Sequence, residues 1–211
     1  MRLPKIRGLK LAVFDMAGTV MQEGGAVYAT MLNTLEARGV RVHDTKWWGG
    51  KNKLEVLSFY CKFQEFEEVR AEFKERLFAT YETDLSLMPG AAQVFERLQF
   101  DGVSVALNTG YPKDVQERII EILHLNELVD DWISSEEVAR GRPSPNMLNE
   151  LMLRFDTCPS DVIKVGDTRN DMLEGLNAHC GEVIGVLTGE DNAKTLYRGG
   201  AHRVIESIEA V

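Results

Sequence analysis

Short apolar runs alternate with helical periodicities along most of this chain of 211 residues. The runs predict strands near 9–14, 103–107, 132–133, 161–165 and 183–186. Apolar positions at helical spacing predict helices near 91–100, 112–123, 145–155 and 171–178. Strands that alternate with helices in this way indicate an α/β fold built on a doubly wound parallel sheet.

Residues 20–88 break this alternation. They contain no convincing strand, and their periodicity predicts helices near 27–38, 53–62 and 66–81. A helical block between a first strand and the resumed pattern is typical of an inserted domain, and Pro89-Gly90 is its expected return hinge. We therefore predict a core domain formed by residues 1–19 and 89–211, with a helical insert at residues 20–88.

Two of the predicted strands end in carboxylates. Asp15 closes the first strand, Asp167 follows the run at 161–165, and Asp171 lies four residues further on. Open parallel sheets bind their ligands at the carboxyl ends of the strands. Because Mg²⁺ prefers oxygen ligands and leaves room for a phosphate, these loops predict a magnesium-dependent catalytic site.

Composition limits the partners of the protein. A net charge of −9 disfavours nucleic acid and anionic membranes, so a small molecule is the expected partner. The three cysteines show no CxxC spacing, and the apolar run that follows the basic start is too short to cross a bilayer. We expect a soluble cytoplasmic protein with reduced cysteines. Its oligomeric state is left open, with a homodimer among the choices.

Four motifs occur in a recognisable order. They are Asp15 to Thr19 (DMAGT), Asn108-Thr109-Gly110, Gly141-Arg142-Pro143, and the VGDTRND segment that ends at Asp171. This order resembles the haloacid dehalogenase superfamily, which implies a Rossmann-like core with a small α-helical cap domain. Within the superfamily, Ala17, Arg142 and the segments NTGY and GRPSPN resemble the phosphonatase (phosphonoacetaldehyde hydrolase) branch.

The resemblance implies a role for each motif. Asp15 is the expected nucleophile, which attacks phosphorus and forms an aspartyl-phosphate. Asp167 and the Ala17 carbonyl are expected to bind Mg²⁺ with Asp15, and Asp171 to orient these ligands or bind through water. The remaining implied contacts to the phosphate or the substrate come from Thr109, Gly110, Tyr111 and Arg142. Structural alternatives are a turn closed by Thr109 and a helix-capping role for Asp171.

The residue type at position 17 differs between branches of the superfamily that act on different substrates, and this chain has Ala17. Phosphomonoesterases of the superfamily usually carry an aspartate here as general acid, and loss of such a group typically costs a factor of ~10² to 10⁴. Phosphonatases instead stabilise the leaving group through a cap lysine that forms a Schiff base with the substrate aldehyde. The Gly50-Lys51-Asn52-Lys53 segment matches that pattern, so Lys53 is the candidate and Lys51 its rival. The alternative is that both lysines are merely solvated.

Three positions depart from the phosphonatase pattern. Val56, Gly49 and Gly25 stand where that branch carries histidine, methionine and cysteine. These departures keep two alternatives open beside a phosphonatase-like hydrolase. One is a phosphatase for a small phosphorylated metabolite, and the other is a catalytically weak regulatory protein that binds metal or phosphate.

Overall fold

The computed structural model describes residues 8–211, so the basic start of the predicted core, residues 1–7, lies outside the described residues. The strands are β1 Leu11–Asp15, β2 Met21–Gln22, β3 Ser86–Leu87, β4 Ser104–Thr109, β5 Asp131–Ser134, β6 Val162–Gly166, β7 Glu182–Val186 and β8 Arg203–Ile205. The helices are α1 Ala26–Ala37, α2 Lys53–Tyr60, α3 Phe66–Asp84, α4 Ala91–Phe100, α5 Lys113–Ile122, α6 Asn146–Arg154, α7 Arg169–Asn177 and α8 Ala193–Gly199.

Six strands form one parallel sheet in the order β5-β4-β1-β6-β7-β8. Strand β1 lies at the centre with every residue buried, which explains its unbroken apolar sequence. Strand β4 pairs with one side of β1 and strand β6 with the other. The sheet is thus extended in opposite directions from β1, which makes β1 the point where the strand order reverses. A reversal of this kind opens a crevice at the strand ends, and Asp15 lies at that point. The predicted α/β class and Rossmann-like parallel sheet are confirmed.

The helical insert contains the three predicted helices, α1 to α3. The expectation of no strand between residues 20 and 88 was wrong, because β2 and β3 pair antiparallel through Met21 with Leu87 and Gln22 with Ser86. Strands of two residues are too short to produce a periodic pattern. The pair brings the two ends of the insert together, and the division into core and cap domains at residues 20 and 88 stays a prediction.

Helix α8 and strand β8 were absent from the predicted elements. Helix α8 is capped by Asn192, whose side chain accepts a hydrogen bond from Thr195 N at 3.0 Å, and it ends before Gly200 at a φ of 104°. These capping residues were visible in the sequence as helix signals. Strand β8 is short and only partly buried at the sheet edge, so its apolar pattern is weak.

Within residues 8–211, no helix is both long enough and apolar enough to span a bilayer. The expected cytoplasmic location stays a prediction.

Candidate active site

Three carboxylates meet at the crevice above β1 and β6. Asp15 ends β1, Asp167 follows β6, and Asp171 lies in the first turn of α7; all are buried. Oxygen atoms of the three side chains lie within 4.8 Å of one another. The Asp171 carboxylate also accepts hydrogen bonds from Thr168 N at 3.2 Å and Thr168 Oγ1 at 2.5 Å. It therefore caps its helix while facing the other two carboxylates.

Arg142 is buried between these groups, and each part of its guanidinium has a partner. Nη1 lies 2.5 Å from Asp15 Oδ1 and 3.1 Å from Asp171 Oδ1. Nε donates to Glu174 Oε2 at 2.9 Å, and Nη2 donates to the Asn108 carbonyl at 2.8 Å. Burial opposes the charge, but the carboxylates of Asp171, Asp15 and Glu174 outweigh it and raise the pKa of Arg142. The guanidinium is thus a fixed cation beside Asp15.

A second buried cation, Lys164, was missed by the sequence analysis because it lies inside the apolar run of β6. Its Nζ is 2.6 Å from Asn108 Oδ1, 3.0 Å from Asp171 Oδ1 and 3.5 Å from Glu174 Oε2. Glu174 was also missed, although its place three residues after Asp171 puts both on one helix face. A lysine inside a central strand is the signal that could have found this network, since a buried charge requires partners.

The charges of this cluster do not balance. Within residues 8–211, the buried carboxylates of the cluster are Asp15, Asp167, Asp171 and Glu174, and the buried cations that form ion pairs in it are Arg142 and Lys164. Burial, followed by the charges of Asp15 and Asp171, raises the pKa of Asp167 well above its usual 3.8. Burial also raises the pKa of Asp15 in spite of the neighbouring Arg142 guanidinium. A divalent cation would supply the missing positive charge, so the residues fit a metal site.

Asp167 is held tightly in place. Its Oδ2 accepts a hydrogen bond from Glu190 N at 2.8 Å, and Thr19 Oγ1 lies 3.4 Å from its Oδ1. A Cβ at Gly189 would lie 1.9 Å from Asp167 Oδ2, and one at Gly18 would lie 2.7 Å away. Only glycine allows the backbone to approach the carboxylate this closely. The carboxylate therefore has a defined orientation toward Asp15.

The segment after β4 lies beside the carboxylates. Thr109 is buried, and its Oγ1 accepts a hydrogen bond from Tyr111 N at 3.2 Å, which is the turn anticipated as its structural alternative. The Gly110 carbonyl accepts from Lys53 N at 2.9 Å, and a Cβ at Gly110 would lie 2.3 Å from the Lys51 carbonyl oxygen. Gly110 therefore permits a close approach between the core and the helical insert.

That approach places Lys53 in the same cavity as Asp15. A cavity of about 480 Å³ is lined by Asp15, Ala17, Thr109, Tyr111 and Asp167 from the core, and by Lys53 from the insert. The Lys53 Nζ lies 5.2 Å from the centroid of the Tyr111 ring, and the residue is 5% exposed. Burial lowers the pKa of Lys53, while the charges of Asp15 and Glu23 oppose that shift.

The two candidate lysines, Lys51 and Lys53, line different cavities. Lys51 Nζ lies over the Trp47 ring at 5.0 Å from its centroid, and Lys51 lines a different cavity together with Arg142. Lys53 is the one that shares a cavity with Asp15. Being buried, it is also not the solvated surface lysine of the structural alternative.

The sequence and fold of this chain are similar to those of known proteins. The profile for haloacid dehalogenase-like hydrolases matches residues 9–179. The chain belongs to this family. Phosphonoacetaldehyde hydrolase from Latilactobacillus sakei is 31% identical over 203 residues, which cover 85% of this chain and 74% of the relative. A phosphonoacetaldehyde hydrolase-like protein from Oleispira antarctica has a similar structure, with a TM-score of 0.83 at 20% identity over 96% of this chain and 89% of the other.

A phosphatase is also among the relatives of this hydrolase. Ribulose-1,5-bisphosphate 5-phosphatase from Halopiger xanaduensis is 32% identical over 101 residues, which are 48% of this chain and 42% of the relative. Several other curated relatives named phosphonoacetaldehyde hydrolase are matched over about half of their length, 49% and 54% in two cases.

Proposed function

We propose that this hydrolase is a Mg²⁺-dependent, phosphonatase-like enzyme that cleaves the C–P bond of phosphonoacetaldehyde or a related small compound. One observation carries the proposal. Asp15, Ala17 and Lys53 line a single cavity, so the proposed nucleophile, the place of a missing general acid and a buried amine would all face a substrate bound there.

Asp15 acts as the nucleophile in this proposal. Arg142 holds Asp15 Oδ1, which leaves Oδ2 as the oxygen that attacks phosphorus and forms the aspartyl-phosphate. Asp15, Asp167 and the Ala17 carbonyl would hold Mg²⁺, with Asp171 as a further ligand or as the group that orients them. The bound cation would neutralise phosphoryl charge. Thr109 offers its hydroxyl and Gly110 its backbone N–H to the phosphoryl oxygens, and water later releases phosphate from Asp15.

Lys53 takes the place of the acid that Ala17 lacks. Its neutral amine adds to the substrate aldehyde, and loss of water gives an iminium. The electron pair of the breaking C–P bond then moves to the iminium nitrogen, so the leaving group is an enamine rather than a carbanion. Because burial lowers the pKa of Lys53, more of the amine is neutral near pH 7 than in an exposed lysine.

A phosphatase for a small phosphorylated metabolite is the second candidate function. The match to a ribulose-1,5-bisphosphate 5-phosphatase supports it. Val56 is fully buried and Gly25 lacks a side chain, so neither offers the proton-transfer group that the phosphonatase pattern carries there. In the third alternative, a regulatory protein, the site would bind metal or phosphate without appreciable turnover.

A phosphate-release assay separates these functions. The protein is supplied with Mg²⁺ and offered phosphonoacetaldehyde beside a panel of phosphate esters, with Asp15→Asn as the inactive control. The proposal expects turnover of phosphonoacetaldehyde well above that of any ester. Faster hydrolysis of an ester would favour the phosphatase, and phosphate release from no substrate would favour the regulatory alternative.

A further inference from the structure

Glu23 is a carboxylate of the helical insert whose position is fixed by several donors. Its Oε2 accepts hydrogen bonds from the Tyr111 hydroxyl at 2.9 Å, from the Tyr81 hydroxyl, and from Val27 N at 3.2 Å. Both tyrosines are buried, and their hydroxyls lie 2.7 Å apart. Hydrogen bonds from three donors hold the carboxylate in one orientation.

Glu23 and Lys53 both contact Tyr111. The Lys53 ammonium lies over the face of Tyr111, and Glu23 accepts a hydrogen bond from the hydroxyl of the same residue. Both side chains line the cavity that contains Asp15. Within residues 8–211, Lys53 forms no ion pair, and Glu23 Oε1 accepts no hydrogen bond from a protein group. One oxygen of Glu23 is thus anchored and the other is free to exchange a proton.

We infer that Glu23 is the proton-transfer group for the amine chemistry of Lys53. This role rests on the proposed function, in which Lys53 forms an imine with the substrate aldehyde. It also supplies an acid and base on the insert side of the cavity, where Val56 and Gly25 supply none, and Ala17 supplies none on the core side.

The proton movements balance. The Glu23 carboxylate takes a proton from the Lys53 ammonium, and the neutral amine adds to the aldehyde carbon to form a carbinolamine. The protonated Glu23 then returns that proton to the carbinolamine hydroxyl, which leaves as water. An iminium remains on Lys53, and Glu23 is again a carboxylate. Imine formation therefore needs no acid other than Glu23.

The other carboxylates of the cavity are less suited to this role. Asp15 is bound to Arg142 and must remain available for attack on phosphorus. Asp167 is fixed by Glu190 N on the core side of the cavity. Glu190 accepts a hydrogen bond at 2.6 Å from Tyr28, whose ring centroid lies 5.8 Å from Lys53 Nζ, but Glu190 is exposed. Glu23 is the carboxylate that is partly buried, lines the cavity with the amine and keeps one oxygen without a protein donor within residues 8–211.

Imine formation in a single turnover tests the role of Glu23. Protein is mixed with phosphonoacetaldehyde, aliquots are quenched with borohydride at intervals, and the adduct on Lys53 is measured by mass spectrometry. Glu23→Gln keeps an oxygen for the tyrosine hydroxyls but cannot take up a proton. We expect adduct formation to slow by a factor of about 10² or more. Glu82→Gln, an exposed carboxylate next to Tyr81, is the matched control and should keep the wild-type rate.

Chemical rescue separates proton transfer from a structural role. Glu23→Ala leaves space for a small carboxylate, so added formate should restore much of its rate of adduct formation. Urea unfolding of both variants checks that the fold is retained. A wild-type rate in Glu23→Gln would overturn the role of Glu23 alone, as would a loss in Glu23→Ala that formate does not rescue. Absence of any adduct in the wild-type protein would instead overturn the imine reaction, and the role of Glu23 with it.

Discussion

The Lys164 ammonium lies 3.0 Å from Asp171 Oδ1, and both side chains are fully buried. Lys164 also donates to Asn108, which in turn accepts from Arg142. A lysine of the central sheet therefore helps to position the arginine that contacts Asp15. The buried network behind the site links the strands β4 and β6 to helix α7 through charged groups.

Replacing Lys164 by methionine should destabilise the protein strongly. The side chains have similar volume, but Asp171 and Glu174 would lose a cation that compensates their buried charge. Removal of one partner from a buried ion pair typically costs about 3–5 kcal/mol, which urea unfolding would measure as a lower free energy of unfolding.

The matched control for that substitution is Lys10→Met, which removes an exposed lysine 3.5 Å from Asp161. Exposed pairs typically contribute about 1 kcal/mol or less, so this variant should remain close to the wild type. Equal stability of Lys164→Met and Lys10→Met would contradict the charge balance described for the site.

Gly189→Ala should weaken metal binding. The new Cβ would lie 1.9 Å from Asp167 Oδ2, so the carboxylate or the loop must move. Titration calorimetry should show a lower Mg²⁺ affinity than in the wild type. Bound Mg²⁺ at a hundred times its Kd would stabilise the wild type by about 2.7 kcal/mol, and the variant should lose part of that gain at the same concentration.

Gly185→Ala serves as the control for crowding alone. A Cβ there would lie 2.9 Å from Leu196 Cδ1, away from the carboxylates. This variant should lose stability but bind Mg²⁺ with unchanged affinity. If Gly189→Ala also bound Mg²⁺ as tightly as the wild type, Asp167 would not be a ligand.

In Glu23→Gln, where only an already neutral Lys53 amine can react, the rate of imine formation should level off at a pH below 10.5. Burial lowers the pKa of Lys53 from its usual 10.5, so the neutral amine becomes the main form at a lower pH than in a free lysine. The rate therefore rises with pH through the lowered pKa and then reaches a plateau. Borohydride quenching over a series of buffered pH values would measure it, and a rate that keeps rising to pH 10.5 would indicate an unperturbed lysine.

The free energy of unfolding should also depend on pH because of the lowered pKa of Lys53. Between the lowered pKa of folded Lys53 and 10.5, the unfolded chain binds a proton that the folded chain does not. The contribution of Lys53 to the free energy of unfolding must then rise with pH across that window. Comparison of the wild type with Lys53→Met by urea unfolding isolates this contribution, and parallel pH profiles would contradict it.

Local sequence patterns predicted the parts of the fold that depend on local order. Strand β1 and the carboxylate at its end were visible because a central parallel strand is apolar on both faces. Strands β2 and β3 were not visible, because two residues carry no period. The roles implied for Asp15 and Arg142 stay predictions, although the fold brings these residues together.

Local sequence patterns did not predict contacts between segments that are distant in the chain. Lys164 looked like an interruption in an apolar run, and its partners lie on β4 and α7. Glu23 looked like an ordinary loop carboxylate beside glycines. Its hydrogen bonds come from tyrosines 58 and 88 residues further along the chain, which only the tertiary fold brings together.

The most direct test of the central claim is the identity of the lysine that borohydride traps with phosphonoacetaldehyde. Peptide mass spectrometry is applied to the wild type, to Lys53→Arg and to Lys51→Arg, and phosphate release is measured in parallel. Arginine keeps the positive charge but forms no imine under these conditions. The account predicts an adduct on Lys53 in the wild type and in Lys51→Arg, with both adduct and turnover lost in Lys53→Arg. An adduct on Lys51, or near-normal turnover in Lys53→Arg, would contradict it.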